Sequence, residues 1–123
     1  MPILLDFSDS TPRHHLPRLH VAQAQKELFV NEALEAIDWL LSPDIEDVLV
    51  SPAGLAPLPG QGWIVSAAAS GQWAGQPHSF AVWSEGGWRF HAPRTGQTAT
   101  LRSTGRQLRF DGNEWRDPSA IPD

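Results

Sequence analysis

The chain has no cysteine and no tyrosine, one methionine, and only 9 lysines and arginines against 14 aspartates and glutamates. Without cysteine there is no disulfide framework, no thiolate zinc site, no iron–sulfur cluster and no cysteine nucleophile. A formal charge of -5 leaves no basic footprint for a phosphate backbone, so nucleic acid is not an expected partner. No apolar run approaches the roughly 18 residues that a membrane span requires, and no membrane partner is expected. The opening Met1-Pro2-Ile3-Leu4-Leu5-Asp6 has neither a basic n-region nor a long apolar h-region, which predicts synthesis in the cytoplasm without a signal peptide. What is abundant is punctuation: 11 prolines and 10 glycines, with six tryptophans among them, in 123 residues. At 41% hydrophobic and 19% charged, the chain can bury a core of ordinary domain size.

The texture divides the sequence into five stretches. Residues 1–20 carry Pro2, Pro12 and Pro17 around polar Ser8, Asp9, Ser10 and Thr11, which reads as an extended docking arm. Its apolar anchors would be Leu4, Leu5, Phe7, Leu16 and Leu19. Residues 21–42 hold the one helical pattern. Val30, Ala33, Leu34, Ile37 and Leu40/Leu41 recur at helical spacing, with Glu27, Asn31, Glu35 and Asp38 opposite them. Asn31 is a candidate N-cap, and continuation of the helix upstream through Ala22 to Phe29 stays open. Residues 43–59 read as a linker, with a short strand near Ile45 to Val50 as the alternative.

Residues 60–117 read as a Trp-rich antiparallel domain, and 118–123 as a tail. Strands are expected at Trp63 to Ser66, Ser79 to Trp83, Trp88 to His91, Thr98 to Arg102, Gln107 to Phe110 and Glu114 to Arg116. Ser84-Glu85-Gly86-Gly87 and Asp111-Gly112-Asn113 are hairpin signals. In-register pairing then sets Trp83 opposite Trp88, Ala81 opposite Phe90 and Phe110 opposite Trp115, with Arg109 opposite Arg116 on the wet face. The predicted class is α+β: an extended N-terminal arm, one amphipathic helix, then a small antiparallel β-sheet or barrel built from hairpins.

Catalytic patterns are thin. His14, His15 and His20 cluster in sequence, but adjacent residues of an extended segment point to opposite sides and no acidic residue has ligand spacing to them. Asp9, Ser10 and His14, or His78, Ser79 and Glu85, make triads only on paper, without a Gly-x-Ser-x-Gly elbow. Gly60-Gln61-Gly62 lacks the lysine and following helix of a phosphate loop. No enzymatic activity, cofactor or metal is therefore expected. Tryptophan offers one binding chemistry: a flat indole face stacks on a sugar ring while Gln or His supplies hydrogen bonds. Trp73, in the loop Ser70-Gly71-Gln72-Trp73-Ala74-Gly75-Gln76, is the candidate for this, with Gln76 and His78 beside it. The other five tryptophans read as core.

One ordered set of motifs resembles a known family. It runs through Gln23-Ala24-Gln25-Lys26-Glu27, Asn31-Glu32-Ala33-Leu34 and Asp38, then Trp63-Ile64-Val65, Gly71-Gln72-Trp73-Ala74-Gly75 and Ala81-Val82-Trp83. Gly87-Trp88-Arg89-Phe90, Ala92-Pro93-Arg94 and Asp111-Gly112-Asn113-Glu114-Trp115 follow. From about residue 16 to 116 the chain resembles a family of virion-associated domains, formally of unknown function, found in phages and in the gene transfer agents of alphaproteobacteria. The resemblance implies a structural part of a particle. In gene transfer agents, relatives belong to head spikes that help the particle engage the recipient's capsular polysaccharide. In phages they often sit within longer tail or fibre proteins. Nothing follows the domain here, so a spike base or adaptor is expected rather than a sugar-reading tip.

That role implies capsid or other virion proteins as partners, a spike fibre protein, a cell-surface polysaccharide, and further copies of the chain. Five-fold symmetry at a capsid vertex and three-fold symmetry in a fibre both fit a closed homo-oligomer, a pentamer or a trimer. The attachment residues would be the five apolar anchors of the arm together with Gln23, Gln25, Lys26 and Asn31, in a stretch whose side-chain amides bond across an interface without charge desolvation. The expected location is the surface of a phage-like particle. A carbohydrate-binding module is the alternative function.

Overall fold

The computed structural model describes residues 10–19 and 24–118, with the side chains of the helix described from Leu28 onward. The chain divides into two compact units, Met1–Ser42 and Pro43–Asp123.

In the first unit, α1 spans Ala24–Leu40. This stretch is rich in Ala, Leu and Glu and free of Gly and Pro, which lets the helix run unbroken for 17 residues. The upstream continuation is therefore real, and Asn31 sits in mid-helix rather than at an N-cap. Leu41 N–H donates to the Ile37 carbonyl at 2.9 Å, and Pro43 bars a further turn. Residues 10–19 are not an extended arm. Ser10 and Pro17 form an antiparallel bridge, and Thr11 N–H donates to the Leu16 carbonyl at 3.0 Å. The turn is closed by the Thr11 hydroxyl, which accepts from Leu16 N–H at 2.9 Å, and by a left-handed His15 with φ of 56°. Proline restricts this segment, but local side-chain bonding decides that it loops. The anchors Leu4, Leu5 and Phe7 lie outside the described residues, as does Gln23.

The second unit holds eight strands in two sheets. In chain order they are β1 (Asp44–Ile45), β2 (Val48–Leu49), β3 (Gly62–Val65), β4 (Phe80–Ser84), β5 (Gly87–His91), β6 (Thr98–Leu101), β7 (Gln107–Phe110) and β8 (Trp115–Arg116). One sheet has the order β2-β3-β4-β5 and the other β1-β6-β7-β8. Both hairpin registers expected from the aromatic alternation are present: Trp83 pairs Trp88, Ala81 pairs Phe90 and Phe110 pairs Trp115. Arg109 lies opposite Arg116, also as expected. The single antiparallel sheet or barrel is corrected. Each sheet is mixed and open-edged, because β1 joins β6 in parallel and β2 joins β3 in parallel.

Those parallel strands come from residues 43–59, which read as a linker. After Ile45 the chain steps from one sheet to the other. Glu46 N–H donates to the Gly62 carbonyl at 2.8 Å, and the Asp47 carbonyl accepts from Ile64 N–H at 3.1 Å. β3 is buried along its whole length, as a strand covered on both faces must be. On one face Trp63, Val65 and Ala81 pack with Trp73, bordered by Leu49, Leu55, Trp88 and Phe90. Phe80, which alternates to the other face of β4, meets Trp115 of the second sheet at 5.2 Å between ring centroids. Trp115 Nε1 donates to the His78 carbonyl at 2.8 Å, tying the same two sheets by a polar bond.

Candidate attachment surface

The polar side of α1 is occupied by its own chain. Asp38 is 1% exposed, and its carboxylate accepts three hydrogen bonds from the 10–17 loop. The Thr11 hydroxyl donates to Oδ1 at 2.6 Å, His14 N–H to the same oxygen at 2.6 Å, and Arg13 N–H to Oδ2 at 3.1 Å. A carboxylate can be buried because each donor replaces a water it loses, and bonds to a charged acceptor are the stronger kind. Arg13 closes the other end of the helix. Its guanidinium donates to the Trp39 carbonyl at 2.8 Å and to the Ser42 carbonyl, and lies 5.4 Å over the Trp39 ring. Cationic donors at a helix C-terminus satisfy the orphan carbonyls and the dipole together.

Two further bonds hold the loop's distal part. The Asn31 side chain brackets one peptide, accepting from Leu19 N–H at 2.9 Å and donating to the Leu19 carbonyl at 3.1 Å. Arg18 forms an ion pair with Glu35. Asn31, expected at an intermolecular interface, is thus spent within the chain. Leu16 is half-buried beside the loop and Leu19 is exposed. Gln25 and Lys26 lie in the first turns of α1, in the part whose side chains are not described.

The apolar side of the same helix has no such cover among the described residues. Phe29 is 70% exposed, Leu41 60% and Ile37 49%, with Val30 and Leu40 also exposed. At 100° per residue, Phe29, Val30, Ala33, Leu34, Ala36, Ile37, Leu40 and, just past the helix, Leu41 fill one arc of roughly 160°, which has no charged member from Phe29 onward. Isolated exposed leucines are ordinary; a continuous face is the mark of a contact surface.

The sugar-stacking candidate is corrected. Trp73 is 0% exposed, at the end of a short 3-10 turn, Gly71–Trp73, whose first residue takes φ of 61°. Its ring stands edge-on to Trp88 at 5.2 Å and tilted against Trp63 at 6.3 Å. No indole face is left for a pyranose. Its Nε1 is the one buried side-chain polar atom without a hydrogen-bond partner among the described residues. Gln76 N–H donates to the Trp73 carbonyl at 3.1 Å, and the side chains of Gln76 and His78 are engaged elsewhere. Gln76 Oε1 accepts from the Ser79 hydroxyl at 3.5 Å, and the His78 ring stacks at 6.0 Å from Phe110.

At the tip of the second hairpin, Asp111 Oδ1 accepts from Asn113 N–H and Glu114 N–H, both at 2.8 Å, with Gly112 at φ of 103°. The Arg116 guanidinium beside it, together with those amides, holds the Asp111 carboxyl well below the usual carboxylate range. The like-charge pair Arg109 and Arg116 is thereby relieved by acids of its own turn. Among the described residues no three His, Asp or Glu side chains converge as a metal site.

The loop residues that hold Asp38 escaped sequence reasoning, since Thr, Arg and His in a proline-rich stretch carry no periodic signal. No curated protein matches the chain. A family model described as protein of unknown function, DUF2793, matches residues 30–116, which include α1 from Val30 onward and all eight strands. That span is more than two thirds of the sequence, and the chain belongs to the DUF2793 family.

Proposed function

We propose that this chain is a non-enzymatic structural component of a phage-like particle of the gene-transfer-agent type, the base or adaptor that attaches a head spike to the capsid and so supports attachment to the recipient cell. The motif order described above suggests the particle. The observation that carries the adaptor role is the uncovered apolar face of α1, Phe29 to Leu41, in a helix whose polar side is already engaged by residues 10–19. A chain that acted alone in water would gain by covering that face; a part of an assembly keeps it for a partner.

The partners are capsid or other virion proteins, a spike fibre protein and further copies of the chain. Cell-surface polysaccharide is met by the assembled spike. The carbohydrate-binding alternative loses its leading residue, because Trp73 is enclosed, and no other observation favours it.

The test is to purify particles from the cells that encode the chain by density gradient and to assay each fraction for it by mass spectrometry. The chain is expected to co-sediment with the capsid protein. Its presence only in the free soluble fraction would overturn the proposal.

A further inference from the structure

We infer that the apolar face of α1 is a self-association surface, and that its occupant is the same face of another copy of this chain. This deepens the adaptor role by naming the surface through which copies meet.

Three features of the face select that occupant. The first is period. Val30, Ala33, Ile37 and Leu40 recur at three- and four-residue steps, the spacing that lets one helix lie along another with side chains interdigitating. One heptad earlier the same positions are Gln23 and Lys26, so the apolar seam begins near Phe29. The second is charge. From Phe29 onward the arc contains no ionised group, Lys26 lying one turn before it, while Glu32, Glu35 and Asp38 all project on the other side. Two copies can therefore meet face to face without opposing like charges, despite the net charge of -5. An anionic lipid surface would be repelled by the acidic side of the helix, since interfacial helices carry basic residues there.

The third is area. The exposed fractions of Phe29, Val30, Ile37, Leu40 and Leu41 leave on the order of 500 Å² of apolar surface per copy. Joining two copies removes on the order of 1,000 Å² in total, at the threshold where an interface holds in solution. Width then favours a ring. A two-helix seam needs only a narrow stripe, whereas a helix with a neighbour on each side buries a broad one, and this arc is broad. Closure adds a second contact to every copy and strengthens each by effective concentration.

The experiment is sedimentation of the full chain across the micromolar range, for the wild type, Ile37→Glu and the control Leu58→Glu, whose leucine is exposed outside the helix. The wild type and Leu58→Glu are expected to reach an integral multiple of 13.5 kDa, and Ile37→Glu to remain at that single mass. Because the chain has no cysteine, Ile37→Cys supplies a second readout that does not depend on Ile37→Glu folding. Lying near the middle of the face, it should form a disulfide-linked dimer on mild oxidation, and Leu58→Cys should not. A wild type of single mass throughout overturns the inference, whichever other partner covers the face. So does an oligomer that persists in a folded Ile37→Glu chain, or equal crosslinking of the two cysteine variants. A self-associating chain missing from particles would sink the adaptor role alone. A monomeric chain recovered in particles would sink this inference alone.

Discussion

The two units of the chain bury opposite things. Around β3 and β4 the interior is Trp63, Val65, Trp73, Phe80 and Ala81, an apolar core assembled from two successive strands and the turn between them. Around α1 the buried groups beside Trp39 are polar, the carboxylate of Asp38 and Thr11, while Phe29, Ile37 and Leu41 face outward. The sheet unit is stabilised mainly by area removed from water. The helix unit is held among its described residues by a fan of directed bonds onto one acid and by Arg13 at the helix end. One region therefore resembles a finished domain, and the other a part awaiting completion.

That contrast can be broken at three points. Trp73→Ala removes the largest fully buried ring of the sheet unit and should cost about 4 kcal/mol, read as a lowered midpoint in denaturant. A loss under about 1 kcal/mol would mean that the aromatic cluster is surface cover rather than core. Asp38→Ala strips the acceptor from three donors and should cost about 2–3 kcal/mol in the helix unit. The measurement is amide hydrogen exchange: protection of Arg13 and His14 should vanish. If both amides stay protected, the loop is held by something other than that carboxylate.

The smallest effect is set by pH. Burial pushes the His91 imidazole below its ordinary value of 6.5. The unfolded chain then binds a proton that the folded chain resists. The stability from keeping His91 neutral is complete above about pH 6.5 and is lost as pH falls below it. Asp111 also titrates below its usual range, so its contribution is lost only under about pH 4, a separate window. His91→Gln should flatten the stability profile just below pH 6.5; an unchanged slope would assign it to another group.

Much of the sheet unit was legible because its instructions are local. Gly86, Gly87 and Gly112 fix the turns, and alternation within four or five residues then sets Trp83 against Trp88 and Phe110 against Trp115. The parallel strands were not legible. Asp44–Ile45 and Val48–Leu49 are two residues each, too short for any period, and their partners lie 56 and 16 residues away in sequence. Trp73 misled for a related reason: its glycine-framed loop looks exposed, and only packing against Trp63 and Trp88 encloses it. On α1 the apolar periodicity marks a real face, yet among the described residues that face is not the one packed. The acidic stripe makes the intramolecular contacts, because Thr11 and two backbone amides happen to converge on Asp38. Asn31 likewise has the right residue type for capping but spends both its polar atoms on Leu19.

Four of the six indoles form one connected cluster. Trp88 meets each of Trp63, Trp73 and Trp83, and Trp63 meets Trp73, with centroids 5.0 to 6.3 Å apart and rings 43° to 86° from parallel. At such separations their electronic transition dipoles couple, and an asymmetric coupled array rotates polarised light far more strongly than separate chromophores do. The chain thus carries an intrinsic optical gauge of its own tertiary geometry. A tilt of one ring by a few degrees would register as a changed exciton band before any strand had come apart.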